Sequence, residues 1–238
     1  MTQSENYIEK VAIAVIATGE PAIATALADR CGYTAADYTA ITARIEPARA
    51  ALRQMYDAES ALTLATANLA AYLAILKTDQ SSLRRVMNNN FPRTSPLFKK
   101  LGLNSAPPIA QEALLAYAEN TFTQGKNLLP PESALLTQRK WDTARFTAAL
   151  ANVAAARAAN QKQESCKGES LAATAKFYDA IDELDELFRP FAKNARSNLA
   201  DIPGALEKMG LQTRIPAKPP RPLPIAARKK TTPPTPAV

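Results

Sequence analysis

The sequence predicts an all-α protein: a tandem-duplicated helical unit with long antiparallel helices in a bundle, followed by a disordered, proline-rich tail. Alanine, the best helix former, occurs 48 times among 238 residues, whereas glycine occurs 7 times. Aromatic residues, which strands favour, make up only 6% of the chain. Two segments 108 residues apart resemble each other, which is typical of an internal repeat.

Short helices are expected ahead of each long one. Apolar and alanine-rich stretches predict a helix over 5–17 that continues over 21–29, and a second short helix over 109–123. Pro107-Pro108 is the natural join between the two repeats, because a helix rarely continues into consecutive prolines.

A heptad seam predicts the first long helix. Apolar residues follow a 3-4 spacing at 38, 41, 45, 48, 52, 55, 62, 69, 73 and 76. Thr34 and Asp37 resemble a capping box, and no glycine or proline interrupts 48–91. One helix from about Ala35 towards Asn90, roughly 80 Å long at 1.5 Å per residue, is therefore favoured.

A hairpin is the alternative for this segment. The equivalent stretch of the second repeat, 160–170, is polar and contains Gly168, as a turn would. Turns near 57–60 and 165–168 would then divide both long segments. Pro47 and Pro190 each face an ordinary helical residue in the other repeat, which predicts kinks inside helices rather than breaks.

The repeat aligns residues 38–103 with 146–211. It has 15 identities over 66 positions, of which 7 are alanine pairs that an alanine-rich chain yields cheaply. Each copy closes with a short helix, starting at Ser95-Pro96 or at Asp201-Ile202-Pro203, and ending in a glycine that can take the left-handed conformation. Chance alignment of alanine-rich helices is the alternative, and the shared ending argues against it. The eight other identities are Thr39/Thr147, Arg49/Arg157, Thr66/Thr174, Leu76/Leu184, Asn90/Asn198, Lys100/Lys208, Gly102/Gly210 and Leu103/Leu211.

The predicted domain organisation follows from the repeat. Residues 1–106 and 107–213 are the two helical repeats, packed as one bundle, and 214–238 are the tail. The tail contains eight prolines, six basic residues and no acid, so the formal charge of +7 falls to about +1 for the rest of the chain. Such a composition predicts an extended, mobile segment.

Several function classes are excluded by composition. The chain has no histidine, which excludes Ser-His-Asp catalysis and histidine-ligated metals, and its glycines never take a phosphate-loop spacing. We therefore expect a protein that is not an enzyme and that has no cofactor or metal. No signal peptide and no run of 18 apolar residues is visible, which favours a cytoplasmic protein without a membrane span.

Two groups of residues are candidates for binding. Asp179, Asp182, Glu183 and Glu186 share one helix face that could hold a hard cation, although a solvated face is the simpler interpretation. In the tail, Arg221, Arg228, Lys229 and Lys230 are candidate contacts with an anionic surface, and 216–221 fits a PxxPxR motif.

The predicted function is a non-enzymatic helical scaffold or protein-interaction protein, whose partner is another protein or a second copy of itself. The alternative is a weak nucleic-acid-associated accessory protein that binds only through its basic tail.

Overall fold

The computed structural model describes residues 3–212, and every regular element within that range is helical. A 3₁₀ turn over Ala17–Gly19 joins the first two helices. The α-helices are α1 (Gln3–Ile16), α2 (Pro21–Cys31), α3 (Ala35–Asn90), α4 (Pro96–Lys100), α5 (Gln111–Lys126), α6 (Glu132–Gln138), α7 (Thr143–Asn198) and α8 (Ala205–Lys208).

The two long helices are continuous. α3 and α7 each contain 56 residues, and both their first and their last residues lie 108 positions apart. The predicted single helix is therefore confirmed, and the alternative of hairpins near 57–60 and 165–168 is wrong. Pro47 and Pro190 lie inside the helices, as predicted.

The start of α3 is fixed by its capping box. The backbone N–H and the hydroxyl of Thr34 both donate to Asp37 Oδ2, at 2.7 and 2.8 Å. These hydrogen bonds hold the pKa of Asp37 below its usual range. At the start of α7, Asp142 Oδ1 accepts a 2.8 Å hydrogen bond from the backbone N–H of Arg145, so a carboxylate caps both helices.

Both predicted glycine stops are confirmed. Gly102 has φ of 69° and Gly210 has φ of 64°, in the left-handed region that suits a residue without Cβ. After each glycine a leucine N–H reaches back five residues, from Leu103 to the Phe98 carbonyl and from Leu211 to the Leu206 carbonyl, at 2.8 Å in both. This is the Schellman motif.

The start of α8 differs from the prediction. Ser95 caps α4 as expected, with its hydroxyl accepting from the Leu97 N–H at 3.3 Å. α8, however, begins at Ala205, after Gly204 with φ of 74°, and not in the Asp201-Ile202-Pro203 segment. Asp201 instead accepts a 2.6 Å hydrogen bond from Arg30, so its carboxylate is engaged by another helix.

The shorter helices depart from prediction at their ends. α5 begins at Gln111, two residues later than the predicted Ile109, and ends at Lys126. α6 was not predicted, since seven residues between Pro131 and Arg139 are too few to display a helical period.

The chain divides into two compact units. We call residues 1–56 with 172–238 the terminal unit, and residues 57–171 the central unit. This division differs from the predicted repeats 1–106 and 107–213, because each unit joins the first part of one predicted repeat to the last part of the other. Since α3 and α7 both extend beyond the helices that precede them, each unit covers its portion of one long helix with a portion of the other.

In the terminal unit, the segments of α3 and α7 run antiparallel. Arg44 pairs with Glu183 at 2.7 Å, and Arg30, earlier in the chain, pairs with Asp201, later in the chain, at 2.6 Å. Tyr7 is buried against them and donates a 2.6 Å hydrogen bond to Asp185. Burial and this hydrogen bond raise the pKa of Tyr7 above its usual range. The core is completed by aromatic and aliphatic side chains that include Ile41, Ile45, Phe177, Phe188, Phe191 and Leu199.

In the central unit, the segments of α3 and α7 are also antiparallel. Asp79 pairs with Arg145 at 2.8 Å, and Thr66 accepts a 3.1 Å hydrogen bond from Gln163. Trp141 is 3% exposed and stacks on Phe122 with ring centroids 6.0 Å apart, which confirms its predicted role as a core residue. The rest of this core includes Leu76, Leu83, Met87, Phe98, Leu115 and Phe146.

Candidate interaction surface

The predicted tail contacts Arg221, Arg228, Lys229 and Lys230 lie outside the described residues, as does the tail itself. Nucleic-acid binding through the tail therefore stays a prediction of the sequence. A salt titration of residues 1–213 beside the full chain would check it: six tail cations limit the salt slope, and tight binding by 1–213 would contradict it.

The acidic face of α7 is a network of helix-surface contacts. Glu183 pairs with Arg44 at 2.7 Å, and both side chains are more than half exposed or nearly so, at 56% and 50%. Asp179 and Asp182 also have interaction partners. Within residues 3–212, no group of three or more histidine, cysteine, aspartate or glutamate side chains could hold a metal ion.

The outer side of α3 carries a different kind of surface. Between Glu59 and Lys77 the sequence has no charged residue. Five positions with a 3-4 spacing in this stretch are all exposed, with Leu64 at 63% and Ile75 at 43%. We call these five residues the outward stripe: Ala61, Leu64, Asn68, Ala71 and Ile75.

The outward stripe and the core seam occupy different sides of the same helix. The seam buries Ala65, Leu69 and Leu76, whereas the residues of the stripe follow the same spacing one position earlier. Alanine at two of the five stripe positions lets a partner backbone approach closely, as at helix contacts built from small side chains. The stripe is thus an apolar helix surface that residues 3–212 leave open.

Hydropathy marks the same helix. One 18-residue window of α3 reaches a mean hydropathy of 1.3 with at most two charged residues, although only 17% of that window is buried. By length and composition α3 could therefore cross a membrane, and so could α1 and α2 taken together as a pair bent by 96°. The sequence prediction of no span counted uninterrupted apolar residues, and so missed a window in which alanine and leucine outweigh isolated polar side chains.

Sequence reasoning followed the core seam and did not single out the stripe. The signal that could have found it is the absence of charge over 60–76, a length of helix on which the solvent-facing side normally carries lysine and glutamate.

No protein-family model, curated protein or solved structure matches the chain. The function is therefore argued from the residues of the chain alone.

Proposed function

We propose that the protein is a non-enzymatic helical scaffold that associates with a second copy of itself through the outward stripe. The observation that carries this proposal is the exposed, uncharged side of α3 over 60–76, in a chain of which 21% is charged. An apolar helix surface of this kind is stabilised when another helix removes it from water.

A second copy is the occupant that fits the stripe. If two α3 helices pair antiparallel with Asn68 at the centre, Ala61 of one copy faces Ile75 of the other, and Leu64 faces Ala71. Each large side chain then meets a small one, which fills the space between the helices. The two Asn68 amides meet at the centre, where each can donate to and accept from the other.

The lack of charge favours self-association over an acidic or basic partner. An oppositely charged partner would need charges to pair with, and the stripe offers none. A hydrophobic surface that is complementary to itself gives an isologous contact, which closes after two copies.

The duplication is part of the same proposal, since we interpret the scaffold as two related helical units packed in a bundle. It is supported by the two 56-residue helices and by the two glycine stops, all 108 residues apart. Eight of the eleven buried positions of α3 are also buried 108 residues later in α7. These pairs are Ile41/Ala149, Ile45/Val153, Ala48/Ala156, Leu69/Phe177, Leu76/Leu184, Gln80/Phe188, Leu83/Phe191 and Met87/Ala195.

Sedimentation equilibrium of the full chain tests self-association. We expect a reversible dimer, and we expect Leu64→Glu to weaken it by more than about tenfold, because the charge would be buried without a partner. Leu171→Glu is the matched control: Leu171 is 53% exposed on α7 and lies outside the stripe, so this variant should dimerise like the parent.

Three results would overturn the proposal. A parent protein that stays monomeric at high concentration would exclude self-association. Equal effects of Leu64→Glu and Leu171→Glu would show that the dimer forms elsewhere. Flotation of the parent with neutral phosphatidylcholine vesicles, lost in Leu64→Glu, would assign the stripe to a membrane and not to a second copy.

A further inference from the structure

A pocket of about 500 Å³ lies in the central unit, beside the carboxyl-terminal half of α3. Four of its lining residues are Lys77, Gln80, Ser81 and Arg84, at a spacing of three, four and seven residues that places them on one side of the helix. That volume is typical of a small-molecule site. The pocket faces a different side of α3 from the outward stripe.

Gln80 is a buried polar group with an unmet need. Its side chain is 3% exposed, and among the described residues its Nε2 has no hydrogen-bond partner. A buried donor left unsatisfied costs about 1–3 kcal/mol, so such groups normally have a partner. Because Gln80 lines the pocket, an acceptor bound there can supply the missing hydrogen bond.

Two cations flank this amide without a carboxylate to neutralise them. Arg84 donates to the Leu103 and Ser105 carbonyls at 3.2 and 2.7 Å and to the Tyr117 hydroxyl at 2.8 Å, all of which are neutral acceptors. No ion pair within residues 3–212 involves Lys77. The central unit as a whole has thirteen basic and nine acidic residues, so its charge also favours an anion.

The opposite wall of the pocket is apolar. It is built by Pro107 and Pro108, by Ile109, and by Leu114 of α5. Leu114 is 4% exposed, whereas Ile109 at the rim is fully exposed. A ligand with a hydrocarbon body would remove Ile109 from water, which is favourable at about 25 cal/mol per Å² of apolar surface.

We infer that this pocket binds a small amphipathic anion, whose oxygen-bearing head group contacts Lys77, Gln80 and Arg84 and whose apolar body lies against Ile109 and Leu114. The Ser81 hydroxyl offers the head group a further hydrogen bond. A carboxylate and a phosphate monoester share the required chemistry, which is an anionic group with several acceptor oxygens.

Binding of four probes with the same eight-carbon body tests the inference: octanoate, octyl phosphate, octanol and octylamine, each titrated into the full chain by calorimetry at millimolar concentrations. We expect octanoate or octyl phosphate to bind, and the tighter of the two identifies the head group. Octanol and octylamine should bind at least about tenfold more weakly, since neither gives the cations an anionic partner.

Two variants assign the binding to the pocket. Lys77→Gln and Gln80→Leu should each weaken the better anion about tenfold, because a hydrogen bond to a charged group is lost. Gln80→Leu should leave the thermal unfolding temperature unchanged or higher, since it removes an unsatisfied buried amide. Lys162→Gln removes an exposed lysine of α7 outside the pocket and is the matched control.

The inference is overturned if neither anion binds, if octanol binds as well as the anions, or if Lys162→Gln weakens binding as much as Lys77→Gln does. Because these measurements need no dimer, their outcome is independent of self-association through the outward stripe.

Discussion

Gln80 of the central unit and Phe188 of the terminal unit lie 108 residues apart on the two long helices, and both are buried. Phe188 is completely buried and makes edge contact with Tyr7 at 6.3 Å between ring centroids. Gln80 is almost as buried but leaves its amide nitrogen without a partner beside a pocket. The same position in a long helix thus closes a core in one unit and lines a cavity in the other, depending on one side chain.

The outer surfaces of the two helices differ in the same way. The positions of α7 that lie 108 residues after the outward stripe are all exposed, and four of the five carry a charge. These residues are Glu169, Ala172, Lys176, Asp179 and Glu183. Since charge keeps a helix surface in water, the comparison explains why we assign a contact to α3 and not to α7.

The largest expected effect comes from making the terminal unit resemble the central one. Phe188→Gln should destabilise the protein by about 4 kcal/mol, because an aromatic side chain is lost from a closed core and an amide is buried in its place. Urea unfolding followed by circular dichroism measures this. Leu187→Gln, at a neighbouring position that is 39% exposed, is the control and should cost less than about 1 kcal/mol. Equal losses in both variants would show that position 188 has no special role in the core.

A smaller effect is expected where the two units agree. Gly102→Ala and Gly210→Ala should each cost about 1 kcal/mol, because alanine must then enter the left-handed region. An added Cβ meets no atom closer than 3.7 Å at Gly102 and 3.6 Å at Gly210, so the cost comes from the backbone and not from a clash. Chemical denaturation of both variants should give similar losses. A neutral result at either site would separate the two helix ends.

The smallest effect concerns a pair in which only one member is glycine. Gly32 and Lys140 precede the long helices and lie 108 residues apart, with φ of 74° and 62°. Lys140 is the one non-glycine residue between 3 and 212 with positive φ. Lys140→Gly should therefore stabilise the protein by roughly 0.5–1 kcal/mol, as relief of left-handed strain outweighs the added chain entropy. Thermal unfolding would register this as a small rise in midpoint, and a fall would mean that lysine is not strained there.

Local signals predicted much of the helical structure. The capping pair Thr34 and Asp37, the absence of glycine and proline over 48–91, and the paired glycines at 102 and 210 each act within a few residues, so their consequences can be read along the chain. α6 escaped prediction because it is short, and Asp201 was assigned to a helix start because its partner Arg30 is distant in sequence.

The candidate sites were harder to predict. Gln80 continues the apolar 3-4 seam beyond Leu76, and a polar residue on such a seam is a signal that could have been followed. The pocket itself also needs Pro107 and Ile109, which no periodicity connects to α3. The outward stripe was visible in the sequence as an uncharged stretch, but its exposure depends on which side of α3 the rest of the central unit covers.

The sequence by itself determined that this chain is helical, where its long helices begin and end, and which glycines stop the short ones, because these properties depend on backbone propensity and on contacts within a few residues. Tertiary structure decided that residues 1–56 pack with 172–212 while 57–171 form a unit of their own. It also decided that Phe188 meets Tyr7 whereas Gln80 meets a pocket. The physical reason is that a long amphipathic helix specifies a face to bury but not which distant segment buries it, and the partner is selected by the packing of the whole chain.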